Sequence, residues 1–394
     1  MLWRVQHFTP SHDPAEGLGV LMLFRLIEEA LPAFFRTDRA IQIARAPGRL
    51  DVLGGIGGAM ALSMSTAEAA CAAIQGRDDE LVRLWSPCRD GSRTQLLSVR
   101  LADLVPPEGP VDYEDARALL VPDPRDRWAA YILGGLLVLS REHGLLPQRG
   151  AELLMNSDVP SGCGVGASAA VTVAALRAFA RLYDVTLTDT ELARLAQLVE
   201  AEVLRRDPPA SDAMSTVLAE RGELLQLRGV AADLERRLQV PSDLEFVGLA
   251  VGPSTAGAEL AADADIFEGE AERAARFVEL LEQPPTEALR LELGDLLFAS
   301  HDAYRAAARS DDACDLVVDF LRGRRDAGGA VLGARVSGRG GGGTVVLVGE
   351  HGKVWYEALR AKKALNEATG RSAHVFRWSS PGAASFGAIE LLPK

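Results

Sequence analysis

A turn with three closely spaced glycines, set between a short apolar run and a long apolar helix, constrains this chain more than any other feature. Residues 151–155 read as a strand, 160–166 as a turn and 168–182 as a buried helix. Glycines 162, 164 and 166 let backbone N–H groups approach an anion closely, and the helix that follows adds the positive end of its dipole. Gly162-x-Gly164-x-x-Ala167 also fits a relaxed dinucleotide fingerprint. A dinucleotide unit, however, needs a second strand ending in an acidic residue about 20 residues further on. Here a second helix begins instead, at the capping-box pair Thr188 and Glu191, with only 185–187 between. A later match, Gly338-x-Gly340-x-x-Gly343, precedes a strand, and alone it reads equally as a glycine-rich hairpin. No Walker A sequence occurs, and no protein-kinase set of glycine loop, lysine and His-Arg-Asp.

Length and charge limit the remaining possibilities. A chain of 394 residues exceeds what one hydrophobic core usually organises, so two domains are expected. The net charge of −13 argues against a nucleic-acid surface and disfavours docking on anionic membranes. It does not forbid a phosphate ligand, which needs only local N–H donors and a metal. Cys71, Cys88, Cys163 and Cys314 form no Cys-x-x-Cys pair and no zinc spacing, which suits reduced thiols in a cytoplasmic protein. The first residues lack the pattern of a signal peptide, and the apolar stretch at 129–139 is too short to span a bilayer. A soluble, intracellular protein is expected.

Periodicity gives an α+β pattern. Residues 17–35 read as a helix, 40–46 as a strand interrupted by Pro47-Gly48-Arg49, and 129–143 as a buried helix. Leu192, Leu195, Val199 and Val203 recur at helical spacing. Strands at 223–227 and 244–251 flank a polar, Arg/Glu-bearing connection, which suggests domains at 1–230 and 231–394. Two amphipathic helices (267–282 and 287–308), a strand–turn–strand unit over 330–348, a helix at 354–369 and a terminal strand near 386–392 follow.

Three segments together resemble the motifs of the GHMP kinases, the superfamily of galactokinase, homoserine, mevalonate and phosphomevalonate kinases. Ala46-Pro47-Gly48-Arg49-Leu50-Asp51-Val52-Leu53-Gly54-Gly55 is similar to the first motif, 160–170 to the phosphate loop, and Ser337-Gly338-Arg339-Gly340-Gly341-Gly342-Gly343-Thr344 to the third. The arabinokinase and galactokinase branch is nearest. Arg49-Leu50-Asp51-Val52 with Gly54-Gly55-Ile56, Trp128-Ala129-Ala130-Tyr131, and Ser379-Ser380-Pro381-Gly382-Ala383 with Phe386-Gly387 resemble its arabinokinase members. The resemblance implies a mixed-sheet N-terminal α/β domain, a ferredoxin-like C-terminal domain and an active site in the cleft between them. It also implies ATP and Mg2+, with a sugar-like hydroxyl as phosphate acceptor.

By that resemblance Asp212 is the catalytic base, and Arg49 faces it and stabilises charge on the moving phosphoryl group. Pro160, Gly162, Gly164, Val165, Gly166, Ala167, Ser168 and Ala169, with Gly338 and Gly340, hold the nucleotide; Ser168 and Glu200 hold the metal. From the residues alone, Asp212 reads first as a helix N-cap, Glu200 as a solvated carboxylate, Arg49 as a surface residue and Ser168 as a helix cap. The substrate side departs from the pattern. Ile56-Gly57-Gly58-Ala59-Met60 lacks the Asp-Tyr pair that holds sugar hydroxyls in relatives. Arg205-Arg206-Asp207-Pro208-Pro209 replaces Gly-x-Pro-Cys-Gly, and Val251-Gly252-Pro253-Ser254-Thr255 has neither the His nor the Tyr of relatives. A kinase of a non-sugar alcohol and a non-catalytic nucleotide or sugar sensor are therefore the alternatives.

Overall fold

In a computed structural model of the chain, residues 3–6, 14–30, 33–55, 60–88, 90–253, 264–341 and 343–394 are described. The strands are β1 (Trp3–Gln6), β2 (Ile41–Gly54), β3 (Ala61–Gly76), β4 (Leu81–Trp85), β5 (Leu96–Arg100), β6 (Ala151–Ser157), β7 (Glu223–Arg228), β8 (Asp233–Gln239), β9 (Leu244–Ala250), β10 (Val331–Val336), β11 (Thr344–Glu350), β12 (His374–Phe376) and β13 (Ala388–Pro393). The first sheet runs β1-β13-β2-β3-β6-β4-β5, with β7 also on β3 and β8 outside β7. Its pairings are antiparallel except β4 with β6, so the sheet is mixed, as the resemblance implies.

The long central strands are buried on both faces, and their alternating side chains feed two cores. Ala44, Ala46, Ala72 and Ile74 face the main core, beneath the helices Arg127–His143, Ala167–Leu182, Asp189–Leu198 and Ala210–Leu218. Ile41, Ile43, Cys71 and Ala73 face the opposite core, with Val20, Leu23 and Ile27 of the N-terminal helical segment. That segment differs from a plain helix over 17–35. It is α-helical over Pro14–Arg25 and turns π-helical over Leu26–Ala30.

Two expectations about elements are corrected. Pro47-Gly48-Arg49 does not interrupt the strand; β2 continues through it by a register shift, Pro47 standing opposite Ala69 and Arg49 opposite Ser65. Pro47 has no N–H to give the ladder, and the shift absorbs that gap. The polar connection between β7 and β9 is itself a strand, β8, whose outer face is exposed. It reads as a linker because an edge strand in water carries charges. Strands on both sides of residue 230 thus join the first sheet, and the C-terminal β13 pairs with β2.

The second sheet has the order β10-β11-β9-β12, antiparallel throughout. With its helices this is the ferredoxin-like arrangement the resemblance implies. The helix Asp312–Asp326 adds to the two expected amphipathic helices, Ala264–Leu281 and Glu287–Ala306. Main-core residues come from both sheets, Phe246, Val346 and Val348 among them, so the units meet through buried apolar surface. No helix among the described residues is long and apolar enough to cross a membrane.

Candidate active site

The three glycine-bearing segments converge although they are far apart in sequence. The phosphate-loop candidate leaves β6, and Gly162, Gly164 and Gly166 all have φ between 71° and 75°. These are left-handed conformations that suit glycine. β2 holds one side of the loop, where the Arg49 N–H donates to the Val165 carbonyl at 2.9 Å. The glycine turn holds the other: Thr344 Oγ1 donates to the Cys163 carbonyl at 2.7 Å. Gly343 has φ of 100°, and a Cβ there would lie 2.8 Å from the Cys163 carbonyl oxygen, so a side chain would push the loop away. Ser337 clips the turn to β2, accepting from the Asp51 N–H at 3.1 Å and donating to the Asp51 carbonyl at 3.0 Å.

A cleft of about 700 Å3 opens over this junction. Pro160, Gly162, Gly164, Val165, Gly166, Ala167, Ser168, Gly338, Gly340, Arg49 and Asp212 all line it. Ala169 and Glu200 do not: Ala169 is buried in the helix beneath the loop, and Glu200 is buried behind the lining. Ser168 is not the helix cap. That position belongs to Gly166, and Ser168 is the second residue of the helix, free to use its hydroxyl elsewhere.

Asp212 is the third residue of the helix Ala210–Leu218, and Pro209 occupies the N-cap position. Its carboxylate points at Arg49, whose Nε donates to Asp212 Oδ1 at 2.9 Å; Nη2 donates to the same oxygen. Asp51, two residues along β2 and on the same strand face, takes Nη1 of the same guanidinium. Burial works against the charge on Arg49, but Asp212 and Asp51 outweigh it and hold the guanidinium firmly protonated.

Glu200 lies in a π-helical turn, Val199–Val203, and is 2% exposed. The wider turn swings a residue from the edge of the apolar face into the interior. Burial, reinforced by the neighbouring Asp212, pushes its carboxyl up to about 7, against the opposing effects of a Ser168 hydrogen bond, Arg206 and Arg49. Ser168 and Glu200, paired by expectation, therefore meet. Among the described residues no three His, Cys, Asp or Glu side chains cluster around a metal-sized space.

Beyond the residues given a role from the sequence, the lining holds further basic side chains, Arg206 and Arg339 among them from segments already compared with the family. Arg206, Arg309 and Arg339 join Arg49 around the polar part of the cleft. Elsewhere in the lining Arg93 stacks on Trp128, 4.7 Å from the ring centroid, and donates to Ser86 Oγ and the Pro87 carbonyl. On the substrate side, residues 56–59, Ser254 and Thr255 lie outside the described residues. Ser380 and Pro381 do not reach the cleft; with the Ala67 carbonyl they surround the buried Arg45 guanidinium.

Several known proteins resemble this chain. The family described as GHMP kinases N terminal domain matches residues 130–220. The L-arabinokinase of Arabidopsis thaliana is 25% identical over 92% of this chain and 48% of its own length. A galactokinase of Chloroflexus aggregans is 32% identical over 52% of this chain and 48% of its own. The chain thus spans about half the length of these two relatives. A galactokinase of Streptomyces coelicolor is 30% identical over 77% of this chain and 84% of its own. Among solved structures, the Lactococcus lactis galactokinase complexed with galactose superposes with a TM-score of 0.68 at 17% identity, covering 92% of this chain and 98% of that one. The Methanococcus jannaschii mevalonate kinase does so at 0.63 and 17%, covering 86% and 98%.

Proposed function

Since the chain belongs to the GHMP kinases, we propose that it transfers the γ-phosphate of ATP directly to a hydroxyl of a sugar or sugar derivative. The observation that carries the proposal is the Arg49–Asp212 pair beside the glycine loop and the N-terminus of the helix Ala167–Leu182. Phosphoryl transfer needs donors on the phosphates, a positioned nucleophile and a destination for its proton. Loop N–H groups and the helix dipole supply the first. Asp212 receives the proton of the acceptor hydroxyl as its oxygen bonds to the γ-phosphorus and the bond to the ADP oxygen breaks. Arg49 keeps Asp212 oriented and offsets the charge that develops on the transferring group.

Glu200 and Ser168 fit a Mg2+ ion. A buried carboxylate whose charge is poorly compensated, beside a hydroxyl, is a hard-oxygen pair of the kind that completes a magnesium shell with substrate phosphates. When bound there, the ion would neutralise phosphate charge. The names of the relatives, L-arabinokinase and galactokinase, favour a sugar acceptor, and a cytoplasmic location suits such an enzyme.

The test is ADP release from Mg-ATP by the purified protein, with neutral, acidic and phosphorylated sugars as acceptors. Stimulation by one class above the no-acceptor rate supports the reading. Tight ATP binding with no stimulation by any acceptor would favour a nucleotide sensor.

A further inference from the structure

Arg206 is the residue of this cleft that the kinase reading leaves without a task. After the π-helical turn the chain passes Arg205 in a left-handed conformation, φ 50°, which is uncommon for a non-glycine residue. The Arg206 N–H then returns to the Glu200 carbonyl at 2.9 Å, so the backbone folds back over the metal-ligand candidate. The Arg206 side chain is half exposed and lines the cleft. Nη1 donates to Tyr131 Oη at 2.5 Å, and Nε stands 4.0 Å from Glu200 Oε2.

The segment that carries Arg206 is fixed from both walls. The Asp207 carbonyl accepts from Arg339 Nη2 of the glycine turn at 2.6 Å. Pro209 opens the helix that bears Asp212. The guanidinium is therefore held beside Glu200 and within the electrostatic reach of Asp212. The phosphoryl group being transferred must lie between those two carboxylates if one serves the metal and the other the acceptor. A planar guanidinium already oriented by Tyr131 suits three anionic oxygens at that point.

We infer that Arg206 binds the γ-phosphate of the nucleotide, so that it distinguishes a nucleoside triphosphate from a diphosphate. The inference rests on the kinase reading above. The competing role, a plain counter-ion for Glu200, predicts something different: losing Arg206 would then alter triphosphate and diphosphate binding alike.

Titration calorimetry decides between them, using the non-hydrolysable Mg-AMP-PNP and Mg-ADP on the whole chain. Arg206→Ala should weaken AMP-PNP by about tenfold or more, the worth of a hydrogen bond to a charged group, and leave ADP within about twofold. Arg206→Lys, which keeps the charge, and Tyr131→Phe, which only frees the guanidinium, should fall between wild type and Arg206→Ala. Equal weakening of both nucleotides, or of neither, overturns the assignment while the kinase reading stands. Wild-type protein that binds neither nucleotide overturns the kinase reading, and this inference with it.

Discussion

Replacing Glu200 by Gln should raise the melting temperature of the nucleotide-free protein at pH 8 and change it little at pH 5. The carboxyl sits near 7 in the folded chain, above its ordinary 4.5, chiefly because it is buried. The folded state thus holds the proton more tightly than the unfolded state. The stability this lends is complete below pH 4.5, declines as pH rises and is gone above 7. At pH 8 the cost of the ionised carboxylate relative to a neutral side chain is about 3 kcal/mol, and at pH 5 it is under about 1 kcal/mol. Gln removes that cost and still accepts the Ser168 hydrogen bond. It forfeits the contact with the half-exposed Arg206, worth at most about 1 kcal/mol. The gain therefore wins, by roughly 2–3 kcal/mol. An unfolding entropy of about 2.1 cal/mol/K per residue converts it to roughly 2–4 °C for a chain this long. Scanning calorimetry at the two pH values reads the effect. Added Mg-ATP should then raise the melting temperature of wild type more than that of the variant. A variant melting at or below wild type at pH 8 would refute the reasoning, since it would mean the folded protein already satisfies this carboxylate.

Gly343→Ala should cost about 1–3 kcal/mol in urea unfolding and weaken ATP binding, because its Cβ meets the Cys163 carbonyl from a left-handed backbone; unchanged ATP affinity would show that the turn does not support the loop. Ser337→Ala removes two buried hydrogen bonds to Asp51 and should cost about 1–3 kcal/mol, read by the same unfolding curves. Galactose and L-arabinose should be poor substrates by several orders of magnitude in kcat/KM, since each lost hydrogen bond to a buried hydroxyl costs about 1–3 kcal/mol; an ordinary sugar-kinase efficiency with either would contradict that.

What the sequence made legible depended on how local the cause was. Gly162, Gly164, Gly166, Gly338 and Gly340 all take positive φ, and that demand is written in the residues themselves. The helix over Val354–Thr369 and the capping box at Thr188 are equally local. Glu200 and Asp212 came from the resemblance, and periodicity alone would not have turned Glu200 inward, because that depends on one π-helical turn. Asp51 had a readable signal, since it lies two residues from Arg49 on a strand and shares its face. Arg206, Arg339 and Trp128 fall in segments compared with the family, but no local pattern turned their side chains into the cleft, and Arg93 had no signal at all, for their neighbours come from distant elements. The pairing of β13 with β2 joins the chain's last strand to its second, and no local pattern announces it.

The central claim, that Asp212 takes the proton of the acceptor hydroxyl during direct phosphoryl transfer, is tested most directly by Asp212→Asn. The substitution keeps the shape of the side chain and removes its basicity, and Asn can still face Arg49. Steady-state turnover should be measured with Mg-ATP and the best acceptor from the sugar panel, alongside ATP affinity by calorimetry. The account predicts a fall in kcat of about 10²–10⁴-fold, the usual worth of a general base, with ATP affinity changed by no more than about threefold. Turnover near the wild-type rate would contradict it, and would leave Asp212 only the task of holding Arg49 in place.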